Sequence, residues 1–387
     1  LALSHSEPVV AAALARIAVE RLQRVLTVMA ADGGSFEGPS YWNLQGRYLA
    51  AIYGTVHSIY GDAPPLKLPS PNRQAAYAWG STTAGGRSLP FADSLPDPDP
   101  LRPGVVAWVA HRSPDPRAGA LARSWLKAPT EGFQVLWWPS AEGLAAATPK
   151  RASALYPRTG VAVLQAGSTT AWLKGGASGD SHAHIDRGLV GFNKYGIHWA
   201  VDPGQDSYAL AQYSSSGATS KRWTYWKVSS KGHSTISPPT GQPPLRSAVF
   251  SAFTPTSSSV VAGAGSATVN LRNALPGSTT ATRTAALSEA GTLLIGDRVR
   301  TAVARPWTWR WVTDAHVAIS GSGSTRTITL TRSGRTVRMA VWGMPRGSNV
   351  SVVPAPDDAV GPDGRALRVV VLSLAPTRNL ALNIRVH

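Results

Sequence analysis

Apolar residues at Val10, Leu14, Ala18, Leu22, Val25 and Met29 fall on one face at helical spacing. They predict a helix over 8–31, opened by Ser6-Glu7 and stopped by Gly33-Gly34. A second helix is predicted over 39–59, ending at Gly61, and two shorter ones over 105–112 and 118–126, parted by Ser113-Pro114-Asp115-Pro116. Residues 62–100 are rich in Pro, Gly and Ser, yet apolar interruptions at 75–79 and 91–93 make them folded loops rather than a linker. Past residue 157 the period changes. Short runs rich in Val, Thr and aromatic residues, bounded by Gly, Pro, Ser or Asn, occupy 160–165, 170–174, 248–253, 267–272, 292–301, 307–312, 326–331, 335–342, 367–373 and 379–386. Many alternate, as in Thr308-Trp309-Arg310-Trp311, the mark of a strand with one buried face. The pattern predicts an α+β chain, helical over 1–147 and a large antiparallel β-sandwich over 148–387, with the boundary at 148–157.

Composition adds a class and a partner. A chain of 387 residues, 43% hydrophobic and 15% charged, has enough apolar material for two cores, and 37 Gly with 30 Pro make it turn-rich rather than disordered. The net charge of +17 is uneven: residues 151–387 hold 25 of the 38 Lys and Arg but only 10 of the 21 Asp and Glu. Such a surplus favours a polyanionic partner. The arginines are scattered along predicted strands without a helix-turn-helix, zinc-finger or RNA-binding signature, so nucleic acid is not expected, and an acidic polysaccharide would satisfy the same charge. With no cysteine there is no disulfide framework. The apolar stretch Val9–Val19 is interrupted by Arg16 and followed by Glu20, Arg21 and Arg24, so no membrane span is expected. The chain opens at Leu1 with no signal-peptide pattern, and is expected to begin inside a longer protein.

Candidate chemistry is concentrated in Gly179–Ile236, which carries four of the nine histidines. On a strand, His182 and His184 would share one face, roughly 7 Å apart, with Asp186 beside them. Asp202 stands before Pro203-Gly204 at the end of the apolar run Gly196–Val201, and His233 lies in the turn-like Gly232-His233-Ser234-Thr235. Two imidazoles and a carboxylate, with water, are an ordinary ligand set for zinc, and the residues alone leave Asp186 and Asp202 both open as the carboxylate. His198, alone in an apolar run, is read as structural.

The order His182-x-His184-x-Asp186, a strand ending in Asp202-Pro203-Gly204, a loop with Tyr208, then Gly232-His233-Ser234-Thr235 resembles the β-sandwich of heparinase II/III-type polysaccharide lyases. A second stretch, Asp32-Gly33-Gly34-Ser35-Phe36-Glu37-Gly38-Pro39-Ser40-Tyr41, resembles the Asp-Gly-x-x-x-Glu-Gly-x-x-Tyr of their (α/α) toroid. The resemblance implies a partial (α/α) toroid followed by the sandwich, and β-elimination at a uronic acid within an acidic polysaccharide. It implies that Tyr41 is the catalytic acid, that His182 is catalytic, and that His184, Asp202 and His233 hold a structural zinc. It also implies a secreted or periplasmic protein. The family's carboxylate-neutralising Asn or His lies upstream of the tyrosine stretch, outside this chain. Glu37, Trp42, Arg47 and Tyr225 are candidates to line the sugar cleft. Two other readings compete. A cupin-like metal enzyme shares His-x-His, but Arg187–Gly191 supplies no Glu; a non-catalytic carbohydrate-binding module would need neither Tyr41 nor the helices.

Overall fold

The computed structural model describes residues 5–28, 31–61, 70–95, 103–125, 137, 144, 147–179, 181–255 and 264–387. Met29 and Leu126, placed at helix ends by the pattern, lie outside them. The helices are α1 (Pro8–Val28), α2 (Pro39–Tyr60), α3 (Pro71–Gly80), α4 (Pro103–Arg112) and α5 (Pro116–Trp125). Each starts on proline, whose fixed φ and missing N–H suit a first helical turn. Helix α3 falls where folded loops were expected. Its ten residues are too few for an apolar stripe to stand out, and its start is marked only by Ser70, whose hydroxyl accepts from the Arg73 backbone, and Pro71.

Two compact units form. The first comprises Leu1–Ser35, Trp42–Ala78 and Arg102–Pro149; the second comprises Phe36–Tyr41, Trp79–Leu101 and Lys150–His387. In the first, α4 is buried from Gly104 to Ala110, around Trp108. Gly46 lets α2 pass close to it, because a Cβ there would collide with Val105. Arg112 lies 4.8 Å from the ring centres of both Tyr53 and Trp108. Of the predicted apolar stripe of α1, Val10, Leu14 and Ala18 are exposed, and so are the neighbouring Val9 and Ile17.

The second unit holds the strands β1 (Ala154–Tyr156), β2 (Val161–Ala166), β3 (Thr169–Lys174), β4 (Gly176–Ala177), β5 (Val190–Lys194), β6 (Ile197–Ala200), β7 (Ile236–Ser237), β8 (Ser247–Pro255), β9 (Gly265–Asn270), β10 (Ser278–Leu287), β11 (Leu293–Thr313), β12 (His316–Ser320), β13 (Arg326–Arg332), β14 (Arg335–Trp342), β15 (Asn349–Pro354) and β16 (Arg368–Val386). One sheet runs β1-β2-β3-β5-β6. The other runs β12-β13-β14-β16-β11-β10-β9-β8-β4, with β15 added to β16 and β7 to β11. Leu164, Leu173, Phe192 and Trp199 from the first share one core with Ile295, Leu330, Met339 and Leu382 from the second, which makes this an antiparallel β-sandwich.

The segments 292–301 and 307–312 join into β11, and 367–373 and 379–386 join into β16. Register shifts around Arg305 bend the pair without ending it, so exposed residues 302–306 read as a loop. Between β10 and β11, Arg283 stands opposite Asp297 and binds it through two hydrogen bonds of 2.7 and 2.8 Å, both side chains buried. Its remaining nitrogen donates to the carbonyls of Gly188 (2.6 Å) and Ser234 (3.4 Å), pinning two loops onto the sheet.

Candidate functional site

The His-x-His pair lies in the loop between β4 and β5, not on a strand, and His182 takes a left-handed backbone (φ 57°). The expected common strand face therefore does not exist. The loop is shaped instead by fully buried Arg187, which donates to Ser178 Oγ, to the carbonyls of Arg246 (3.0 Å) and Pro243 (2.5 Å), and to Gln242 Oε1 (3.2 Å). Burial lowers the Arg187 guanidinium to about 10. Gly188 then turns the chain at φ 76°, where a side chain would press on Leu271 and Thr235.

Two further loops meet this one. After β6, Asp202 Oδ1 accepts from the Gly204 amide (2.8 Å), closing the Asp-Pro-Gly turn. His233 follows a short 3-10 helix in which Gly232 packs against the Trp226 carbonyl. The ligand atoms of His184, Asp202 and His233 all lie within 4.8 Å of one another, and all three residues are buried. His184 Nδ1, Asp202 Oδ2 and both His233 ring nitrogens have no hydrogen-bond partner among the described residues. His233 Nδ1 is 3.3 Å from Asp202 Oδ2 but misaligned for a hydrogen bond. Buried polar atoms left unsatisfied around one point are the arrangement a cation would complete, so these three residues form a candidate metal site. Of the two carboxylates left open by the sequence, the convergence includes Asp202 and omits Asp186.

Against this triplet sits a second cluster built on Asp93, which is fully buried. Gly38 (φ 98°) lets residues 36–41 lie on the Asp93 loop, since a Cβ there would strike Ser94 and the Phe91 carbonyl. Ser40 Oγ also accepts from the Leu95 amide, which brings Tyr41, in the first turn of α2, to the site. Asp93 Oδ2 accepts from His182 Nδ1 (2.8 Å) and Tyr208 Oη (2.8 Å); Oδ1 accepts from His184 Nε2 (2.8 Å), Tyr213 Oη (2.8 Å) and Arg222 Nη2 (3.0 Å). Burial alone would raise the Asp93 carboxyl, but the hydrogen bonds from His182 and His184 and the charge of Arg222 hold it well below the carboxylate range.

The outer side of this cluster meets solvent. Tyr41 stacks on His182 with ring centres 4.1 Å apart, and its hydroxyl lies 2.7 Å from that of Tyr208. The His182 side chain is 27% exposed and Tyr208 41%. Burial pushes the Tyr41 phenol up, against the hydrogen bond with Tyr208, and the negative charges of Asp93 and Glu37 add to the rise. Tyr208 is raised by burial, by its bond to Tyr41 and by Asp93. Two phenols held protonated beside an imidazole, all reachable from solvent, are equipped to exchange protons with a bound molecule.

Tyr41, His182, His184, Asp202 and His233 thus come together within the second unit, and Glu37 is half-buried near Tyr41. The other cleft candidates have surroundings of their own. Trp42 is 3% exposed, with its indole donating to the Gly33 carbonyl and its ring against Tyr77, so it is core. Arg47 is exposed on α2. Tyr225 donates to the Ala211 carbonyl and packs on Tyr213, supporting the cluster from behind. Asp93, Tyr213 and Arg222 escaped the sequence reading. Asp93 sits in a Pro-rich stretch with no periodic pattern, and Arg222 is one basic residue among 38.

Residues 148–363 match the family described as heparinase II/III-like, C-terminal. Among solved structures, a heparinase III is similar over 96% of this chain and 56% of its own, with 15% identity and a TM-score of 0.69. The heparan sulfate lyase HepC from Pedobacter heparinus is similar over 94% and 54%, with 13% identity and a TM-score of 0.68. The heparinase III product BT4657 is similar over 95% and 54%, with 15% identity and a TM-score of 0.68. The chain spans about half the length of these structures, and at such identities the likeness speaks for the fold alone. No curated protein matches in sequence.

Proposed function

The chain belongs to the heparinase II/III-like family by its C-terminal domain, and from that premise we propose that it is part of a polysaccharide lyase that cleaves a uronate-containing glycan by β-elimination. The observation that carries the reading is the solvent-reachable stack of Tyr41 on His182, backed by a buried carboxylate and a buried His-Asp-His triplet. β-Elimination needs a base to take the C5 proton and an acid to protonate the departing O4. In this reading His182 takes the C5 proton of one uronate epimer, and Tyr41 delivers a proton to O4; for the other epimer Tyr41 serves both steps. The phenol's raised pKa keeps its proton available until the leaving oxygen develops charge.

His184, Asp202 and His233 fit zinc, because their donor set is the usual one and their facing atoms are otherwise unsatisfied. Bound there, zinc would cross-link three loops and stiffen the one carrying His182, a supporting role away from the sugar. Residues 1–147 are read as the C-terminal part of an (α/α) toroid. The exposed apolar residues of α1 support this, as a face on which further helices would pack. Among the described residues no helix is long and apolar enough to cross a membrane. The surplus of positive charge in 151–387 suits an acidic polysaccharide, and such a substrate places the protein outside the cytoplasm, secreted or periplasmic.

The test is to incubate the whole protein with a panel of uronate polymers and follow the ultraviolet absorbance of the unsaturated product. Tyr41→Phe keeps the ring and removes the proton, so turnover should fall by about 10²–10⁴-fold with binding retained. A Tyr41→Phe protein with normal turnover refutes the assignment. Binding of a uronate polymer by the wild type with no unsaturated product would make it a carbohydrate-binding protein instead.

A further inference from the structure

Asp93 presents two oxygens to five donors, and no solvent reaches it. With the Arg222 guanidinium 3.0 Å from Oδ1, the group is an ionised carboxylate, which only accepts. Each neighbour facing it must therefore carry the hydrogen. His182 is then protonated on Nδ1, and when neutral it offers its Nε2 lone pair elsewhere. His184 is protonated on Nε2, which leaves the Nδ1 lone pair for the side on which the structure shows no partner. The hydroxyl of Tyr208 is committed to Asp93, so at 2.7 Å it accepts from Tyr41.

From this geometry we infer that Asp93 is the positioning residue of the site: a single carboxylate fixes the tautomers of both His182 and His184, making one a base through Nε2 and the other a metal ligand through Nδ1. The inference rests on the lyase and zinc reading for its functional consequence, but the tautomers follow from Asp93 itself. Arg222 balances the carboxylate, so neither imidazole has to be a cation for the cluster to be compensated. The arrangement also ties the two functions together. A carboxylate that orients a metal-bound imidazole is a recurring support of zinc sites. Here its second oxygen holds the imidazole that stacks on Tyr41.

The experiment has two arms. In the wild-type whole protein labelled with ¹⁵N-histidine, long-range ¹⁵N–¹H correlation reads the tautomers directly. His182 should be the Nδ1–H form and His184 the Nε2–H form, with His184 Nδ1 shifting on titration with zinc alone. The opposite tautomer at either residue overturns the inference, whatever any variant does. In the second arm, Asp93→Asn keeps the shape but offers one acceptor oxygen and one NH₂, so one imidazole loses its acceptor. Zinc affinity, measured by chelator competition, should fall about 10–100-fold, and kcat should fall by a similar factor with KM nearly unchanged. Unchanged zinc affinity together with unchanged kcat overturns the role. A wild type that shows the stated tautomers but neither binds zinc nor cleaves any uronate polymer instead sinks the lyase reading and leaves the assignment of Asp93 standing.

Discussion

Arg283→Met tests how the sandwich holds its functional loops. The substitution keeps an unbranched side chain of similar length but removes both hydrogen bonds to Asp297, whose side chain is 1% exposed. A buried ion pair broken by removing one partner typically costs about 3–5 kcal/mol, because the remaining charge is left uncompensated. Set against a usual total of about 5–15 kcal/mol, that is a large share of the fold's stability. At roughly 2–4 °C per kcal/mol for a unit of this size, the melting temperature should drop by about 10 °C. Arg283→Met combined with Asp297→Leu removes both charges, and should recover most of the loss. The contacts to the Gly188 and Ser234 carbonyls are lost in both variants, however, and these residues flank the loops of His184 and His233. Zinc affinity should therefore remain weakened in the double variant although stability returns. Urea unfolding followed by circular dichroism, with zinc measured by chelator competition, separates the two effects. A single variant that loses less than about 1 kcal/mol, or a double variant no more stable than the single, would refute the reasoning.

The metal site predicts about one zinc per chain in freshly purified protein, lost in His184→Ala or His233→Ala with a larger fall in melting temperature than in His198→Ala; elemental analysis showing no metal would remove the site. His198 is buried, its ring nitrogens have no hydrogen-bond partner among the described residues, and burial with the charges of Arg87 and Arg332 lowers it from 6.5 to about 3. Between those values the unfolded chain holds a proton that the folded chain does not, so stability declines as pH falls through that window; His198→Leu should flatten this slope, and an unaltered pH profile of urea midpoints would contradict it. Binding of acidic polysaccharide should weaken as salt rises, since exposed charges are screened beyond about 8 Å at physiological ionic strength. A neutral glucan that binds equally well at low salt would remove charge from the account.

The helices α1, α2, α4 and α5 could be read from apolar spacing and from the prolines and glycines at their ends, because local sterics set those signals. Most of the strands were equally legible. Strands β1, β4, β5, β7, β10, β12 and β15 were not: β1, β4 and β7 are two or three residues long, β5 is broken by Gly191 and ends in Asn193-Lys194, β10 alternates Thr and Arg with small Ala, and β12 and β15 are mostly exposed. At the site, the ligand-type residues announced themselves by type and spacing, but their geometry did not. His182 and His184 meet at Asp93 through a loop whose shape depends on Arg187, far along the chain from the carbonyls that hold it. The choice of Asp202 over Asp186 likewise depends on how the β6 turn is placed against His233, which neither residue's neighbours encode.

The long pair of β11 and β16 bears on how the chain is made as well as on how it packs. Strand β11 is flanked by β10, which precedes it, and by β16, the latest of these strands in chain order. Strand β16 also separates β11 from β14, so until it arrives the large sheet is two pieces with open edges. Joining distant segments makes closure slow, and the waiting edge is a place where two nascent chains could pair wrongly. The exposed side of that edge displays Arg298, Arg300 and Arg305. When two unfinished sheets meet along this edge, those arginines set like charges against each other, which disfavours edge-to-edge pairing.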